Sequence, residues 1–518
     1  MHEILAYRAQ DHPDRLLAAF DDRSLSYRDL HRESLEMAAA LQKFGVKKGE
    51  PIMLIMGNRS EYLIAFFAMA HVGAISVPVN VALKGEALAH LFKTTRPRIV
   101  VIEAILVDRF LQAVGSTDGL EHMFVVGGNA KLTAKVYAFD ELMSGSEMPE
   151  PASIAAGDPW SIMFTSGTTG VAKGVILSHQ QISSAAWDTV HDLDMDETSV
   201  FYTFNPLFHL NGLVFGPMAA ILAGGKTVIR QDFPRERTLE DLRQSGATHW
   251  VVLPFMIREM LAAPERPDDA DNELRIVMSI GLTETMITDF QQRFDCKLAS
   301  GYGSTEAGMV CRFQTQRPAS AGRVSDRCEM RIVGADGRDV DPGETGEIWV
   351  RTRQPFDCML GYYNMPEATA AAFSGEWFRT GDLGYLDQDN YLHFSDRLKD
   401  SLKRRGENIS TFEVEKALLT YPGISGVGVV GYRQAADMDE EVRAFIEVSS
   451  AAREKFDYGN LVRHCAQNLA YFMIPRFIDL VPELPRTSLG KIEKQKLKEI
   501  PLYKTTFDVK TSGIIVER

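Results

Sequence analysis

The chain has 518 residues, 56 Lys+Arg against 70 Asp+Glu, and a formal net charge of −14. With 45% hydrophobic and 24% charged residues it reads as a globular protein of about two to four domains, which excludes whole-chain disorder and a scaffold too small to build a core. The acidic excess argues against nucleic acid as the main partner and against general attachment to anionic lipid, since both need basic surface; local basic sites stay open.

Ser26-Tyr27-Arg28-Asp29-Leu30 opens an amphipathic helix that should run to about Phe44 and stop at Gly45. Strands are expected at Pro51–Met56, Ile75–Val79 and Arg98–Ile102, with a helix over Asn58–Val72 between the first two. Strands separated by helices of this length imply parallel β-α units. A second set should begin near Trp160 and include strands at Lys226–Ile229, His249–Leu253 and Arg275–Ser279. Gly322–Val350 changes character: short strands and turns at Ala335-Asp336-Gly337 and Asp341-Pro342-Gly343 predict an antiparallel, barrel-like piece.

A domain boundary is expected around Ser395–Arg405. Residues 400–518 carry 18 basic and 17 acidic side chains, so the total of −14 leaves −15 on residues 1–399. Strands at Gly426–Val430 and Arg443–Val448 and helices at Ser410–Leu419 and Tyr458–Ala470 give this part its own small α+β core. The fold class expected is therefore α/β, with a large N-terminal domain of β-α layers plus a small antiparallel barrel-like subdomain over 1–396, and a small α+β C-terminal domain over 400–518.

Tyr62–Leu83 and Thr198–Gly225 lack Asp, Glu, Lys and Arg, and both exceed the roughly 18 residues that raise the question of a membrane span. His71, Gly73, Pro78 and Asn80 in the first, and Asn205, Pro206, His209, Asn211, Gly216 and Pro217 in the second, argue against one. Five scattered cysteines without a CxxC pair imply neither a disulfide framework nor a structural zinc, and point to a reducing cytoplasm. Neither a signal-peptide pattern at Met1-His2-Glu3 nor a peroxisomal address at the C-terminus is evident.

The densest chemical signal is Phe164-Thr165-Ser166-Gly167-Thr168-Thr169-Gly170-Val171-Ala172-Lys173-Gly174, between two apolar strands. Its glycines bring backbone N–H groups close to an anion, its hydroxyls add donors and Lys173 adds charge, which equips it for a polyphosphate. A Walker A loop is excluded by the separation of its glycines and lysine. Pro206-Leu207-Phe208-His209, Gly301-Tyr302-Gly303-Ser304-Thr305-Glu306, Trp377-Phe378-Arg379-Thr380-Gly381-Asp382, Asp396-Arg397-Leu398-Lys399-Asp400 and Pro485-Arg486-Thr487-Ser488-Leu489-Gly490-Lys491-Ile492 follow in order. With this set the chain resembles the adenylate-forming superfamily of acyl-CoA synthetases, adenylation domains and luciferases, over essentially its whole length.

The resemblance implies the following roles. Lys491 is the catalytic lysine, carried by a mobile C-terminal domain that swings about Lys399 near residues 397–400. Thr165, Ser166, Gly167, Thr168, Thr169, Gly170 and Lys173 hold phosphates; Gly281, Tyr302, Gly303, Ser304 and Thr305 surround adenine and the α-phosphate; Asp382 and Arg397 take the ribose. Glu306 binds Mg²⁺, His209 and Asn211 line the acyl tunnel with His209 also near the chemistry, and Arg230, Lys403, Arg405 and Gly406 meet CoA. Leu213, Phe255 and Met256 suggest an apolar acyl wall. The activity implied is ATP-dependent conversion of a carboxylic acid to acyl-AMP, then transfer to CoA; loading of a carrier protein is the alternative acceptor chemistry.

Two patterns are set aside. Gly426-Val427-Gly428-Val429-Val430-Gly431 is a literal GxGxxG, but a loop and a strand should follow it where a dinucleotide site needs a helix. Asp192, Asp194 and Asp196 imitate an EF-hand start without its glycine or terminal glutamate. Ala172 replaces a usual proline, Ser279-Ile280-Gly281-Leu282 replaces a commoner Gly-Gly-Ala-Pro, and Thr411 replaces another proline. The Leu274–Leu282 and Arg404–Thr411 stretches look most like the crotonobetaine/carnitine–CoA ligase branch.

Overall fold

The computed structural model describes residues 1–128, 136–143, 148–150, 152–165, 172–233, 235–252, 254–279, 282, 284–317, 320–334, 336–397, 401–404, 407–433, 439–448, 453, 456–485, 492 and 494–514. The first predicted helix spans Tyr27–Lys43. Ser26 Oγ accepts from the Asp29 N–H at 3.1 Å and Asp29 returns a carboxylate to the Ser26 N–H at 3.0 Å, a capping box that fixes where the helix starts. Gly45, at φ +75°, takes the chain away from its end.

Two eight-stranded sheets form the large part. In the first, parallel strands Ile75–Pro78, Pro51–Ile55, Ile99–Glu103, His122–Val126 and Val136–Ala138 lie beside the hairpin Pro159–Thr165/Lys173–Ser178, with Gly361–Tyr362 on its edge. In the second, Ile276–Met278, His249–Val251, Val200–Thr203, Lys226–Ile229 and Leu16–Ala19 run parallel, between Ser24–Ser26 at one edge and the hairpin Lys297–Ser304/Gly308–Gln314 at the other. The expected division at Trp160 is corrected here. The 159–178 hairpin closes the first sheet, while the two N-terminal strands join the second through Ala18 beside Thr227. Local periodicity does not reveal a partner about 200 residues away, and so the exchange is invisible in the pattern.

One apolar cluster fills the space between the layers, with Phe66, Phe67, Trp160, Phe201 and Met218 all buried. In helix Ser60–Val72, residues 62–70 are apolar all round and are enclosed on every side, as a stretch of that composition must be. The charge-poor stretch 198–225 becomes a strand, then a short buried helical segment with a π turn at Val214–Met218 around Pro217. Among the described residues no helix is long and apolar enough to cross a membrane.

The barrel-like piece is a five-stranded antiparallel sheet of Cys328–Val333, Gly346–Thr352, Trp377–Leu386, Phe373–Ser374 and Leu392–Arg397. Beyond it, Ser401–Arg404 and Glu407–Ser410 form a hairpin, and Ile424–Tyr432, Glu441–Val448, Phe477–Val481 and Phe507–Asp508 form a sheet covered by helices Thr411–Leu419 and Tyr458–Asn468. The GxGxxG segment is the first of these strands, followed by an antiparallel partner. A separate apolar cluster including Val429, Ile446, Leu461 and Ile478 holds this part together. Within it Arg443 and Asp479 form a fully buried ion pair at 2.7 Å. It meets the large part at Lys84, whose ammonium donates to the Ala466 carbonyl at 3.0 Å, and at the Lys416–Glu86 pair, 2.6 Å.

Candidate active site

The glycine-rich loop joins two antiparallel strands whose last paired residues are Thr165 and Lys173. Ser166, Gly167, Thr168, Thr169 and Gly170 lie outside the described residues, as do Gly281, Lys399, Arg405, Gly406 and Lys491. The Lys173 ammonium sits 4.7 Å from the centre of the Tyr362 ring, within cation–π range. At the position where proline is usual, the Ala172 carbonyl lies 3.0 Å from His90 Nε2, an external tie on the loop's exit.

Tyr302, Gly303 and Ser304 end one strand of the hairpin at the edge of the second sheet, and Thr305 and Glu306 make its turn. A Cβ on Gly303 would lie 2.4 Å from the Gly308 carbonyl oxygen, so only glycine permits this turn. The buried Tyr302 hydroxyl donates to Asp382 Oδ2 at 2.7 Å, bringing together two motifs 80 residues apart. Burial and then the neighbouring Asp382 charge push the Tyr302 pKa well up, so the hydroxyl stays protonated and donates. Asp382 follows Gly381, at φ +71°, and is the ladder partner of Arg397. The Arg397 side chain lies outside the described part.

The Glu306 backbone is pinned: its carbonyl accepts from Met359 N at 2.7 Å and from Gln181 Nε2 at 3.1 Å, and Gln181 also donates to the Thr305 carbonyl at 3.0 Å. Its carboxylate accepts from the Tyr362 hydroxyl at 3.3 Å. Lys173, Tyr362 and Glu306 thus form one continuous contact from the loop to the hairpin turn.

His209 lies on the turn after Val200–Thr203. Asn58, 6% exposed, holds that turn: its amide nitrogen donates to the carbonyls of Asn205 (3.2 Å) and Arg230 (2.8 Å), and its oxygen accepts from Leu207 N (2.9 Å). Gly212 lets the helix after His209 fold back, since a Cβ there would sit 2.1 Å from the Pro206 oxygen. His209 Nε2 is 3.2 Å from Glu407 Oε2. Asn211 is exposed at the start of that helix, while Leu213 and Met256 are buried in the core; the Phe255 side chain is outside the described part.

Arg230 is engaged on both sides of its guanidinium by Asp241, at 2.8 and 2.7 Å, and by Asp21 at 3.3 Å. Hydrogen bonding to Asp241 holds its pKa up and the site charged. Lys403 pairs with Asn408 across the C-terminal hairpin, its side chain outside the described part. Neighbouring Arg404 donates to the carbonyls of Phe472 and Ile474, both at 3.0 Å. In the EF-hand look-alike, Asp192 accepts from Arg312 and Phe313 N, and Asp196 from Thr198, so those carboxylates are committed within the protein.

Asn58, Gln181, Tyr362 and Glu407 were not among the residues singled out from the sequence. Only Glu407, inside the Arg404–Ser410 stretch, carried a signal; the others gain meaning from what they touch.

A two-sheet α/β body carrying a glycine-rich hairpin, a Tyr302–Asp382 pair and a hairpin-borne Glu306, followed by a small α+β unit, defines an adenylate-forming enzyme. Residues 5–363 match the AMP-binding enzyme family and residues 413–491 match the AMP-binding enzyme C-terminal domain. The chain is 31% identical over 487 residues to a crotonobetaine/carnitine–CoA ligase of Salmonella agona, covering 92% of this chain and 93% of that protein. In structure it resembles o-succinylbenzoate CoA synthetase of Bacillus subtilis, with a TM-score of 0.83 at 24% identity over 96% of this chain and 98% of that one. It also resembles the amide bond synthetase McbA of Marinactinospora thermotolerans, with a TM-score of 0.83 at 23% identity over 95% and 99%. The chain belongs to the AMP-binding enzyme family, and within it is an AMP-forming acyl-CoA ligase.

Proposed function

We propose that the described site performs both half-reactions of such a ligase on a small carboxylic acid, with the Lys173–Tyr362–Glu306 contact as the observation that carries the reading. It sets a cation and a carboxylate at the mouth of a glycine-rich loop, the charge pair that a metal-bound polyphosphate requires. In the first half-reaction a carboxylate oxygen attacks the α-phosphorus of ATP, the bond to the bridging oxygen of the β-phosphate breaks, and pyrophosphate leaves. In the second, the CoA sulfur attacks the acyl carbonyl, the bond to the AMP oxygen breaks, and the thiol proton passes to solvent.

Thr165 and Lys173, with the loop between them, would hold the phosphates, and Tyr302 and Asp382 the adenosine. Glu306 suits Mg²⁺: it is an oxygen ligand on a pinned backbone, and the Tyr362 hydroxyl donates to its carboxylate. Mg²⁺ there would neutralise polyphosphate charge. Lys491 would stabilise charge on the α-phosphoryl oxygens, arriving with a C-terminal domain that turns about Lys399. His209, with Asn211 beside it, would face the acyl group from a turn in which the Leu207 and Phe208 side chains are apolar and buried. Arg230, Lys403, Arg405 and Gly406 are the proposed CoA contacts; Arg230 would have to share its guanidinium with Asp241. The five free thiols suit a reducing cytoplasm.

The test is incubation with ATP, Mg²⁺ and CoA across a panel of acyl, aromatic and trimethylammonium acids, with products identified by mass. AMP and a thioester of one acid class support the reading. AMP without any CoA thioester would move the acceptor to a carrier-protein thiol, and no AMP from any acid would end the proposal.

A further inference from the structure

The chain leaving strand Ile75–Pro78 of the first sheet meets the helices of the C-terminal part. Its shape is set from its own side. Asn80 Oδ1 accepts from Ala82 N at 2.9 Å, the Asn80 carbonyl accepts from Leu83 N at 3.0 Å, and Arg109 donates to the Val81 carbonyl at 2.7 Å. Ala82 then packs against the apolar cluster of the C-terminal part, and the Lys84 ammonium donates to the Ala466 carbonyl at 3.0 Å. Gly85 opens helix Gly85–Thr95 against the end of helix Tyr458–Asn468, where a Cβ on it would lie 3.5 Å from the Asn468 Cα. Glu86, in the first turn of the same helix, pairs with Lys416 at 2.6 Å. The hydrogen bond from Lys416 holds the Glu86 carboxyl below its usual range, which keeps the carboxylate ionised at neutral pH.

Lys416 sits on helix Thr411–Leu419, which continues directly from the hairpin strand Glu407–Ser410. At the other end of that hairpin–helix unit Glu407 reaches His209 of the large part, at 3.2 Å. The unit is thus held at two places, one at the site and one on residues 82–86. We infer that residues 82–86 are a docking seat whose Glu86–Lys416 pair positions the hairpin 401–410 for thioester formation. The inference rests on the reading given above, in which that hairpin meets CoA and Lys491 arrives when the C-terminal part turns. Lys403, Arg405 and Gly406 all belong to the hairpin, so where the seat holds the helix decides where they stand. Turning the C-terminal part about Lys399 lifts the helix off the seat, and adenylation then makes no use of the pair. Both side chains are exposed, and an exposed ion pair biases a two-state balance by about two- to fivefold.

Glu86→Lys, Lys416→Glu and the double swap are compared with the parent. Thioester formation from supplied acyl adenylate and CoA is measured beside acid-dependent pyrophosphate exchange. Each single reversal sets like charges against each other, and thioester formation should fall about two- to fivefold. The double swap restores an opposite pair and should bring the rate back to within about 1.5-fold of the parent. Pyrophosphate exchange should stay at or above the parent rate in all three variants, a split that a merely structural contact would not produce. An unchanged thioester rate in either single reversal, an equal fall in both half-reactions, or a double swap no better than the singles would overturn the inference. A parent protein that makes no thioester from any adenylate would instead remove the reading of CoA as acceptor, and the inference with it.

Discussion

His209 and Glu407 face each other at 3.2 Å, joining the turn after Val200–Thr203 to the hairpin 401–410 of the C-terminal part. Burial pulls the His209 pKa down, but the Glu407 charge and hydrogen bond outweigh it and leave the imidazole above its ordinary 6.5. A raised histidine pKa means that the contact contributes in full below about 6.5 and fades as pH rises through the raised value. The two parts should therefore separate more readily on the alkaline side. Glu407→Gln should lower the His209 midpoint in an NMR titration and carry the pH profile of thioester formation the same way. An unmoved midpoint would break the link between the two residues.

Tyr302→Phe removes one donor from the buried Asp382. A hydrogen bond to a charged group is worth about 1.5–3 kcal/mol, so denaturant unfolding should register a loss of that size. If Asp382 is the ribose ligand, ATP affinity should fall too, measured by calorimetry. Loss of stability with unaltered ATP affinity would make the pair purely structural.

Asn58→Ala strips three hydrogen bonds from the turn that carries His209. The expected cost is about 1–3 kcal/mol per buried group left unsatisfied, read from the unfolding midpoint. KM for the acid should rise more than KM for ATP, because the disturbed turn lies on the acyl side. Equal changes in the two constants would contradict that placement.

Arg443→Ala leaves Asp479 inside the C-terminal core without its ion partner, at a cost of about 3–5 kcal/mol. Thermal scans should show the C-terminal part melting earlier while the large part keeps its transition. A single unshifted transition would contradict the separateness of the two cores.

Much of the fold is written locally. Ser26 and Asp29 announce a capping box and form one, and the strands at Pro51–Ile55, Ile75–Pro78 and Lys226–Ile229 stand where apolar runs put them. The exchange of strands between the sheets is not local: Ala18 meets Thr227 because of global topology, and nothing in Leu16–Ala19 specifies that neighbour. The site divides in the same way. Glycine-rich and acidic motifs are visible as strings, and the Tyr302–Asp382 bond joins two of them. Asn58, Gln181 and Tyr362 are ordinary residues in ordinary strings, and their importance lies in carbonyls and side chains that only the folded chain brings near.

On the proposed function, acid is activated through an acyl adenylate with Lys491 at the α-phosphate, before and separately from thioester formation. Acid-dependent exchange of labelled pyrophosphate into ATP, run on the parent and on Lys491→Ala, tests it most directly. Robust exchange in the parent, its near-complete loss in the variant, and thioester formation from supplied acyl adenylate retained by both are expected. Exchange surviving in Lys491→Ala, or exchange absent from the parent with every acid, would contradict it.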